Sequence, residues 1–572
     1  MFKQVFYKNY ITYICGLLFL ICGFSIILSY FFDKNTNITA YFLHVQDRWL
    51  LLCLFLCVVL ACLGLGERRA PLDLSPRVLA ALGLVAASLV YIGHRWVLCG
   101  YDLSRDEVLA DFDATILASG HLVQPLPLFW QGHADALNML YMLPVVRPVA
   151  WVSLYLPMNA ALRAMVGLIV DASLTGPLLV LVGAFALWKC ARLLWPGDRE
   201  AACVAVILYL TSGQVLVAGM TAYAMPAHLT LNLVWLWLFL TNRRAADLGA
   251  IGVGAVATGL HEPIFHPLFA IPFLCLLLRE RAWRRVGMYG VGYAAIAILW
   301  YAEPLYIRSL VAGPLTQDGP GGVDAVSRLL TALFHGYPFP LQDMAANLLR
   351  FAAWQAPMAI PLLVLGFVPA LRGRPVKTAL ALGIVLTLYA MMLIQTYQGH
   401  GFGYRYLQGV IGSAILVSVE GWRRIAGKLP GIRSLFLRTS VAGAFVVLPI
   451  QFWMGHALYA PYAQIYHRLS RDRADYVMID PQVAPFIADV VRNEPDLSNR
   501  PIFLQALPVD AGLVAEICRQ GAVVTLPEAD MFAAANRYFS TLPPGDSAER
   551  RSGVARRLVD AGCSVGREHT WR

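Results

Sequence analysis

The chain has 572 residues, of which 58% are hydrophobic and 14% are charged, with a formal net charge of +10. Soluble domains carry roughly 25% charged residues, so this composition excludes an ordinary soluble protein and indicates a membrane protein. Lys and Arg cluster in loops between apolar runs, so the positive net charge gives no reason to expect a nucleic-acid partner.

Apolar runs that approach the length of a membrane span recur from the N-terminus to residue 455. A span needs about 20 mainly apolar residues, and about thirteen segments qualify. They lie near 11–31, 48–66, 76–98, 166–190, 201–220, 226–241, 248–260, 264–278, 285–302, 346–371, 376–396, 405–421 and 437–455. The two between 248 and 278 are short, so a full crossing by these two is left open. No small-residue cleavage site follows the first run, which we therefore expect to be retained.

Charged loops indicate the orientation of the spans. Loops rich in Lys and Arg alternate with loops poor in both, and the rich loops are expected in the cytoplasm. The loops 97–165 and 303–345, the turn 397–404 and all residues after about 456 then lie on the outer, periplasmic or extracytoplasmic, face. The chain thus divides into a transmembrane domain, 1–455, and an outer domain, 456–572, of an integral inner (plasma) membrane protein.

The loop 97–165 is long for a simple connector, and loops of this length are usually functional. Apolar residues at helical spacing predict an amphipathic helix over 104–119. A second apolar stretch, 136–145, also suits a helix in the membrane interface.

The first of these stretches carries five carboxylates between Asp102 and Asp113. Asp106 and Glu107 are adjacent and diverge by about 100° on a helix, so both cannot point at one substrate atom. Asp106 and Asp113 lie about two turns apart and could share a face. A solvated acidic face that complements the helix dipole explains the stretch as well as a catalytic group does.

Two histidines interrupt the apolar region between 248 and 278. His261 and His266 are five residues apart and diverge around a helix, so a zinc site is not expected. Ionisable groups at membrane depth are usually functional or paired, and binding of an anionic headgroup is the better hypothesis. Glu303, at the outer end of the next span, is a candidate neighbour.

The segment Gln398-Gly-His-Gly-Phe-Gly-Tyr-Arg-Tyr406, called here the glycine turn, alternates three glycines with large side chains. Glycine lets the backbone approach a ligand closely. The Arg405 guanidinium could hold a phosphate through two parallel hydrogen bonds, and His400 could add a donor. Tyr404 is a further possible substrate contact. The alternative is a flexible turn in which Arg405 extends to lipid headgroups.

Beyond residue 460 the composition becomes that of a soluble domain. Strand-like and helical patterns alternate there, which predicts a small α/β domain. The strands are predicted at 475–480, 501–507 and 522–526, and the helices at 482–493 and 510–520. Cys518 and Cys563 could form a disulfide if this region is outside the cytoplasm.

Several nucleotide and hydrolase motifs are missing from the sequence. It has no P-loop, no GxGxxG between a strand and a helix, and no GxSxG. The substrate must therefore bring its own activated bond, and a lipid-linked phosphate does so.

The acidic pair Asp106-Glu107 opening the first large outer loop, the interfacial stretches of that loop and the glycine turn together resemble the GT-C superfamily of membrane glycosyltransferases. The resemblance covers roughly residues 76–421 and is nearest to the protein O-mannosyltransferase and lipid A aminoarabinose transferase branch. In those relatives the acidic loop usually follows the first span, whereas two extra spans precede it here.

The resemblance implies transfer of a sugar from a polyprenyl-phosphate-linked donor to a glycan, lipid or protein acceptor on the outer face, with inversion. Asp106 would be the general base, with Glu107 its rival. Arg405, His400 and His261 would hold the donor phosphate. Other possible substrate contacts are Asp113, His266, Glu303 and Tyr404. No cofactor and no metal site are expected, although a divalent metal is left open.

Two other functions remain open on the sequence. A transporter or flippase for a lipid-linked or anionic solute would need broken helices near the bilayer centre and internal repeats. A lipid-linked glycan polymerase or ligase is chemically close to the transferase. Ionisable residues at the outer surface favour a transferase, and those at the membrane centre favour a transporter.

Overall fold

The computed structural model describes residues 2–65, 70–312, 341–394, 397–429, 431–519, 521–540 and 547–566. This part of the chain is mostly helical, as the sequence predicts. Most of the predicted outer loop 303–345 lies outside the described residues. The chain is an integral membrane protein, because several of its helices are long and apolar enough to cross a bilayer.

Seven helical segments within the described residues have the length and composition of a membrane span. They are Tyr10–Phe31, Ile38–Cys62, Pro76–Trp96, Ala172–Leu194, Trp283–Ala312, Pro375–Ile394 and Ile432–Leu469. The pair Arg199–Leu210 and Gly213–Gly219, bent by 56° at its break, makes up to eight. The predicted number of about thirteen is therefore not confirmed. Several apolar runs form shorter helices, such as Met225–Thr241, Phe265–Arg279 and Ala359–Leu371.

The chain forms two compact units. The first unit consists of Met1–Gly93, Ser173–Trp300 and Val323–Met454, and the second consists of His94–Ala172, Tyr301–Gly322 and Gly455–Arg572.

The first unit is built from packed helices. Besides the segments given above, it contains Arg244–Thr258, Leu341–Ala353 and Ile411–Ile425. The helices Ala359–Leu371 and Ile411–Ile425 approach closely at Gly366 and Gly421. A Cβ on Gly366 would lie 2.0 Å from the carbonyl oxygen of Val417, so only glycine permits this contact. Small residues commonly allow membrane helices to pack in this way.

The second unit combines helices with two small sheets. Its α-helices include Arg105–Ala118, Met158–Gly167, Ala511–Cys518, Ala533–Tyr538 and Ser547–Asp560. Strands β1 (Gln124–Pro125) and β2 (Ala150–Trp151) pair antiparallel. Strands β3 (Tyr476–Ile479), β4 (Ile502–Gln505), β5 (Val523–Thr525) and β6 (Ser564–Gly566) form a parallel sheet in the order β4-β3-β5-β6. The three predicted strands coincide with β3, β4 and β5.

Two predicted helices of this unit are wrong. The segment 482–493 contains only a 3₁₀ turn at Ile487–Val490. Pro485 lacks an N–H and disfavours helix at the residue before it, and Phe486 has a φ of 58°. The segment 136–145 is also not an α-helix, because Asn138 and Tyr141 have positive φ values of 64° and 59°.

The loop 97–165 and the C-terminal sheet share one hydrophobic core. Phe112 and Trp151 from the loop lie in the same buried cluster as Leu504 of β4 and Val524 of β5. The indole N–H of Trp151 also donates to the carbonyl oxygen of Pro495 at 2.8 Å. The loop therefore cannot fold on this core without the C-terminal residues. The predicted boundary at 455/456 stays a prediction.

Candidate functional site

The helix Arg105–Ala118, called here the acidic helix, begins with a capping box. The Ser104 hydroxyl accepts from the backbone N–H of Glu107, and the Glu107 carboxylate accepts from the Ser104 N–H at 3.0 Å. The Tyr459 hydroxyl donates to both Glu107 oxygens, at 3.0 and 3.1 Å. Glu107 is fully buried, and this burial raises its pKa to about 7. With both oxygens bonded, Glu107 is placed to cap the helix rather than to meet a substrate.

Asp106 and Asp113 lie on the side of the acidic helix that faces residues 153–155. The Tyr155 hydroxyl donates to Asp106, which is partly exposed. Asp113 is buried and accepts from the Ser153 N–H at 3.1 Å and from the Ser153 hydroxyl. The seven-residue spacing thus brings the two carboxylates to one face.

A small cavity of about 50 Å³ lies beside this face and is lined in part by Asp113, Tyr155 and Glu303. Its other walls are mainly apolar. Burial raises the pKa of Asp113 to about 6. The structure thus brings together two of the predicted substrate contacts, Asp113 and Glu303, and links them through Tyr155 to Asp106.

Sequence reasoning missed the ion pairs around the acidic helix. Arg163 donates to Asp111, and its guanidinium outweighs the effect of burial, so the pKa of Asp111 is lowered. Burial and the negative charges of Asp111 and Glu107 raise the pKa of Asp102 well above its usual range. Arg105 is buried and donates only to backbone carbonyl oxygens, including that of Asn138 at 2.6 Å. These residues hold the helix in place.

In the first unit, the glycine turn is fixed by its own buried amide. The Gln398 side chain is fully buried and donates to the carbonyl oxygen of Gly403 at 2.8 Å. Its side-chain oxygen accepts from the backbone N–H of Arg405, also at 2.8 Å. The backbone that carries Arg405 is therefore held in one conformation.

The three glycines of the turn are required by its geometry. Gly399, Gly401 and Gly403 have φ values of 65°, 140° and 67°, which side chains rarely adopt. A Cβ on Gly403 would also lie 2.4 Å from the side-chain oxygen of Gln214. A Cβ on Gly401 would meet the Arg405 side chain at 3.3 Å, so the turn folds around that arginine.

The Arg405 guanidinium is partly exposed and lies over two aromatic rings. Its carbon is 5.0 Å from the ring centre of Tyr223 and 5.4 Å from that of Tyr406. Such contacts restrict the guanidinium and leave its N–H edges directed away from the rings. His400, two residues before Phe402 in the same turn, is 7% exposed.

A buried ion pair supports the turn from below. Arg350 donates to the carbonyl oxygen of Gly401 at 2.8 Å and to Asp47 at 2.9 Å, and both charged side chains are 1% exposed. Trp354 donates to the second oxygen of Asp47 at 2.7 Å. Sequence reasoning missed this pair, although an aspartate and an arginine in apolar surroundings are a recognised signal.

The remaining predicted residues have mixed environments. His266 is fully buried, and its ring nitrogens bond to Asn232 at 2.8 Å and to Tyr293 at 2.7 Å, which is a structural role. Tyr404 is also fully buried, whereas His261 is partly exposed. Sequence reasoning did not single out His228, which is 2% exposed and whose ring nitrogens have no hydrogen-bond partner within the described residues.

No cluster of three or more metal-binding side chains occurs in the described ranges. The two units therefore offer a carboxylate beside a tyrosine hydroxyl, and a guanidinium on a rigid turn. The first can accept a proton, and the second can hold an oxyanion.

Comparisons with known proteins give structural likenesses only. Neither a protein-family model nor a curated protein matches the chain. ArnT from Cupriavidus metallidurans in the apo state is 13% identical, with a TM-score of 0.45 over 83% of this chain and 91% of that one. The same protein bound to undecaprenyl phosphate is 13% identical, with a TM-score of 0.42 over 86% and 90%.

An oligosaccharyltransferase from Archaeoglobus fulgidus, in complex with Zn and sulfate, is 12% identical, with a TM-score of 0.35 over 83% of this chain and 66% of that one. The solved structures that this chain resembles thus include an ArnT and an oligosaccharyltransferase. Since every TM-score is below 0.5, the assignment of function rests on the residues of this chain.

Proposed function

We propose that this chain is a membrane glycosyltransferase that takes a sugar from a polyprenyl-phosphate-linked donor and transfers it to an acceptor on the outer face. The observation that carries the proposal is the environment of Asp106. Among the carboxylates of the acidic helix, Glu107 and Asp113 are buried and Asp111 is paired with Arg163, whereas Asp106 is partly exposed beside Tyr155.

Asp106 is the general base in this proposal. Its carboxylate takes the proton of an acceptor hydroxyl while that oxygen attacks the anomeric carbon of the donor. The bond from that carbon to the phosphate oxygen breaks, the polyprenyl phosphate leaves, and the anomeric centre is inverted. A positioned base of this kind contributes typically 10²–10⁴-fold to the rate. The Tyr155 hydroxyl orients the carboxylate.

Arg405 is the phosphate ligand in this proposal. The guanidinium offers several N–H donors in a planar fork, and the rings of Tyr223 and Tyr406 limit its movement. It stabilises the negative charge that develops on the leaving phosphate. His400 and His261 remain candidate donors to the same group. The proposal requires that Arg405 and Asp106 act on one substrate.

The disulfide between Cys518 and Cys563 supports an outer location for the C-terminal residues. Disulfides persist in oxidising compartments and are rare in the cytoplasm. The same orientation follows from the distribution of Lys and Arg among the loops. Both observations agree with chemistry on the outer face.

The test is sugar transfer in membranes that contain single variants. Asp106→Asn is expected to lower turnover at least about 100-fold without loss of folded protein. Glu107→Gln is the matched control, because Gln keeps the cap, and it is expected to retain turnover. Normal turnover by Asp106→Asn would exclude Asp106 as the base.

Donor binding is tested separately at Arg405. Arg405→Ala is expected to raise the KM for the polyprenyl-phosphate donor and to lower kcat, whereas Arg405→Lys keeps the charge and recovers only part of the loss. Unchanged donor kinetics in both variants would remove Arg405 from the donor site.

A transporter is the second candidate function. The break between Arg199–Leu210 and Gly213–Gly219, together with the buried pair Asp47–Arg350, resembles the broken helices and intramembrane charges of transporters. A transporter would move its solute equally well with Asn at position 106. Loss of both transfer and transport in that variant would favour the transferase.

A further inference from the structure

A second cavity lies in the C-terminal part of the second unit, and the proposed transfer chemistry does not use it. It has a volume of about 470 Å³ and opens to the surface. The residues that follow β3 and β5, Asp480 and Leu526, form one side of it, and the helix Ser547–Asp560 forms another. We call it the sheet-edge pocket.

The pocket lies at the position where a parallel sheet usually binds a ligand. The strands β3 and β5 are neighbours, but the chain leaves β3 for β4 on one side and leaves β5 for β6 on the other. In open α/β sheets, ligands bind outside the carboxyl ends of two such strands, where their connections diverge. This placement follows from topology and does not depend on any side chain.

The walls of the pocket are partly basic and partly apolar. Its helix contributes Arg550, Arg551 and Arg557. Arg550 pairs with Asp480 at 3.0 Å, and Arg551 pairs with Glu528 at 3.3 Å. The apolar side chains of the wall are Met478, Val483, Leu507, Leu526, Phe532 and Val554.

Arg557 supplies the positive charge that these pairs do not neutralise. It is exposed and lines the pocket, and the described residues place no acidic partner within 4 Å of it. Guanidinium groups bind phosphate and carboxylate in a bidentate manner. The pocket therefore presents a cation next to an apolar wall.

Gly553 is the second feature that points to an occupant. It lies inside the helix Ser547–Asp560 and faces the pocket, and a Cβ built on it would meet no atom within 4 Å. Glycine weakens a helix interior, and here neither a positive φ nor close packing requires it. Its missing side chain leaves open space against the basic wall.

We propose that the sheet-edge pocket binds an amphiphilic anion, with a phosphate or carboxylate on Arg557 and an apolar part against Met478 and Phe532. The binding stands independently of sugar transfer. Only its role rests on the proposed function, in which this ligand is the anionic part of the acceptor.

The test is calorimetric titration of the full-length protein in nanodiscs with hexyl phosphate. The wild type is expected to bind hexyl phosphate, and inorganic phosphate and hexan-1-ol are each expected to bind at least tenfold more weakly. Equal binding of inorganic phosphate would overturn the apolar half of the proposal. Equal binding of hexan-1-ol would overturn the anionic half, and no binding of hexyl phosphate would overturn the whole.

Three variants locate the site. Arg557→Ala is expected to weaken hexyl phosphate binding at least tenfold, whereas Arg556→Ala, the neighbouring exposed arginine outside the pocket, is expected to bind like the wild type. Gly553→Phe is expected to abolish binding by filling the pocket. Equal affinity for the wild type, Arg557→Ala and Gly553→Phe would overturn the proposal.

The folded state is checked by thermal unfolding of the same variants. Gly553→Phe and Arg557→Ala are expected to unfold at or above the wild-type temperature, because neither position is tightly packed. Binding measured in detergent-free nanodiscs does not involve turnover. Loss of transfer in Asp106→Asn with intact hexyl phosphate binding would therefore separate the two proposals.

Discussion

Two adjacent acids of the acidic helix have different environments. Glu107 points back to Ser104 and is sealed by Tyr459, while Asp106 points to Tyr155. The spacing Ser-x-x-Glu is the sequence pattern of a capping box and could have identified Glu107 as structural. Nothing in the sequence indicates that Tyr155 meets Asp106, because the two lie on elements that are not in regular register.

Burial of Glu107 predicts a pH-dependent stability. Its pKa is about 7 in the folded chain and near 4.5 when unfolded, so the folded state keeps a proton that the unfolded state loses between these values. The free energy of unfolding should therefore fall as the pH rises from about 4.5 to about 7, by on the order of 3 kcal/mol. Glu107→Gln cannot ionise and should flatten this slope in thermal unfolding at a series of pH values. Parallel slopes for the two proteins would contradict the assignment.

Tyr155 is expected to act through Asp106 as a positioning residue. Tyr155→Phe removes one hydrogen bond to a charged group, which is worth about 1.5–3 kcal/mol. We expect kcat to fall by roughly tenfold or more, with little change in the KM for the donor. A change confined to KM, or a large drop in the unfolding temperature, would instead indicate a packing role.

Among the elements, the glycine turn depends most on its backbone. Gly403→Ala would force a side chain into a φ of 67° and toward the Gln214 oxygen at 2.4 Å. The left-handed conformation alone costs about 1–2 kcal/mol. We expect a lower unfolding temperature and weaker donor use.

Gly290→Ala is the matched control for that variant, because a Cβ at Gly290 meets no atom within 4 Å and lies inside the helix Trp283–Ala312. It should be neutral or slightly stabilising. Equal effects of the two substitutions would show that the turn does not depend on glycine at position 403.

Local signals predicted some elements well and failed at others. The acidic helix was predicted because its apolar spacing and its start agree, and β3 to β5 because short apolar runs are bounded by turn residues. The helix predicted over 482–493 failed because periodicity took no account of Pro485. The span at 201–220 was counted as one because the break after Leu210 falls inside an apolar run.

For the whole molecule, the disulfide gives the most direct test of orientation. If the C-terminal residues lie outside the cytoplasm, Cys518 and Cys563 should be recovered as one linked peptide from membranes alkylated without reduction. Mass spectrometry of the digested protein measures this. Complete alkylation of both cysteines would place them in a reducing compartment.

The second unit could not be predicted from the sequence as a whole. Composition separates residues 456–572 from the apolar runs, but no local pattern shows that Phe112 and Trp151 belong to the same core as Leu504. Contacts across such separations depend on tertiary packing. The orders of spans and loops were accessible, whereas the partners of the acidic helix were not.

The shared core has a consequence for biogenesis. Phe112 and Trp151 leave the ribosome hundreds of residues before Leu504, and translation proceeds at about 5–20 residues per second. The nascent loop therefore waits on the order of tens of seconds with its apolar side chains uncovered. We expect a translocon-associated chaperone or the bilayer surface to shelter it during this interval, so that shortened chains ending before β3 would be degraded rather than released.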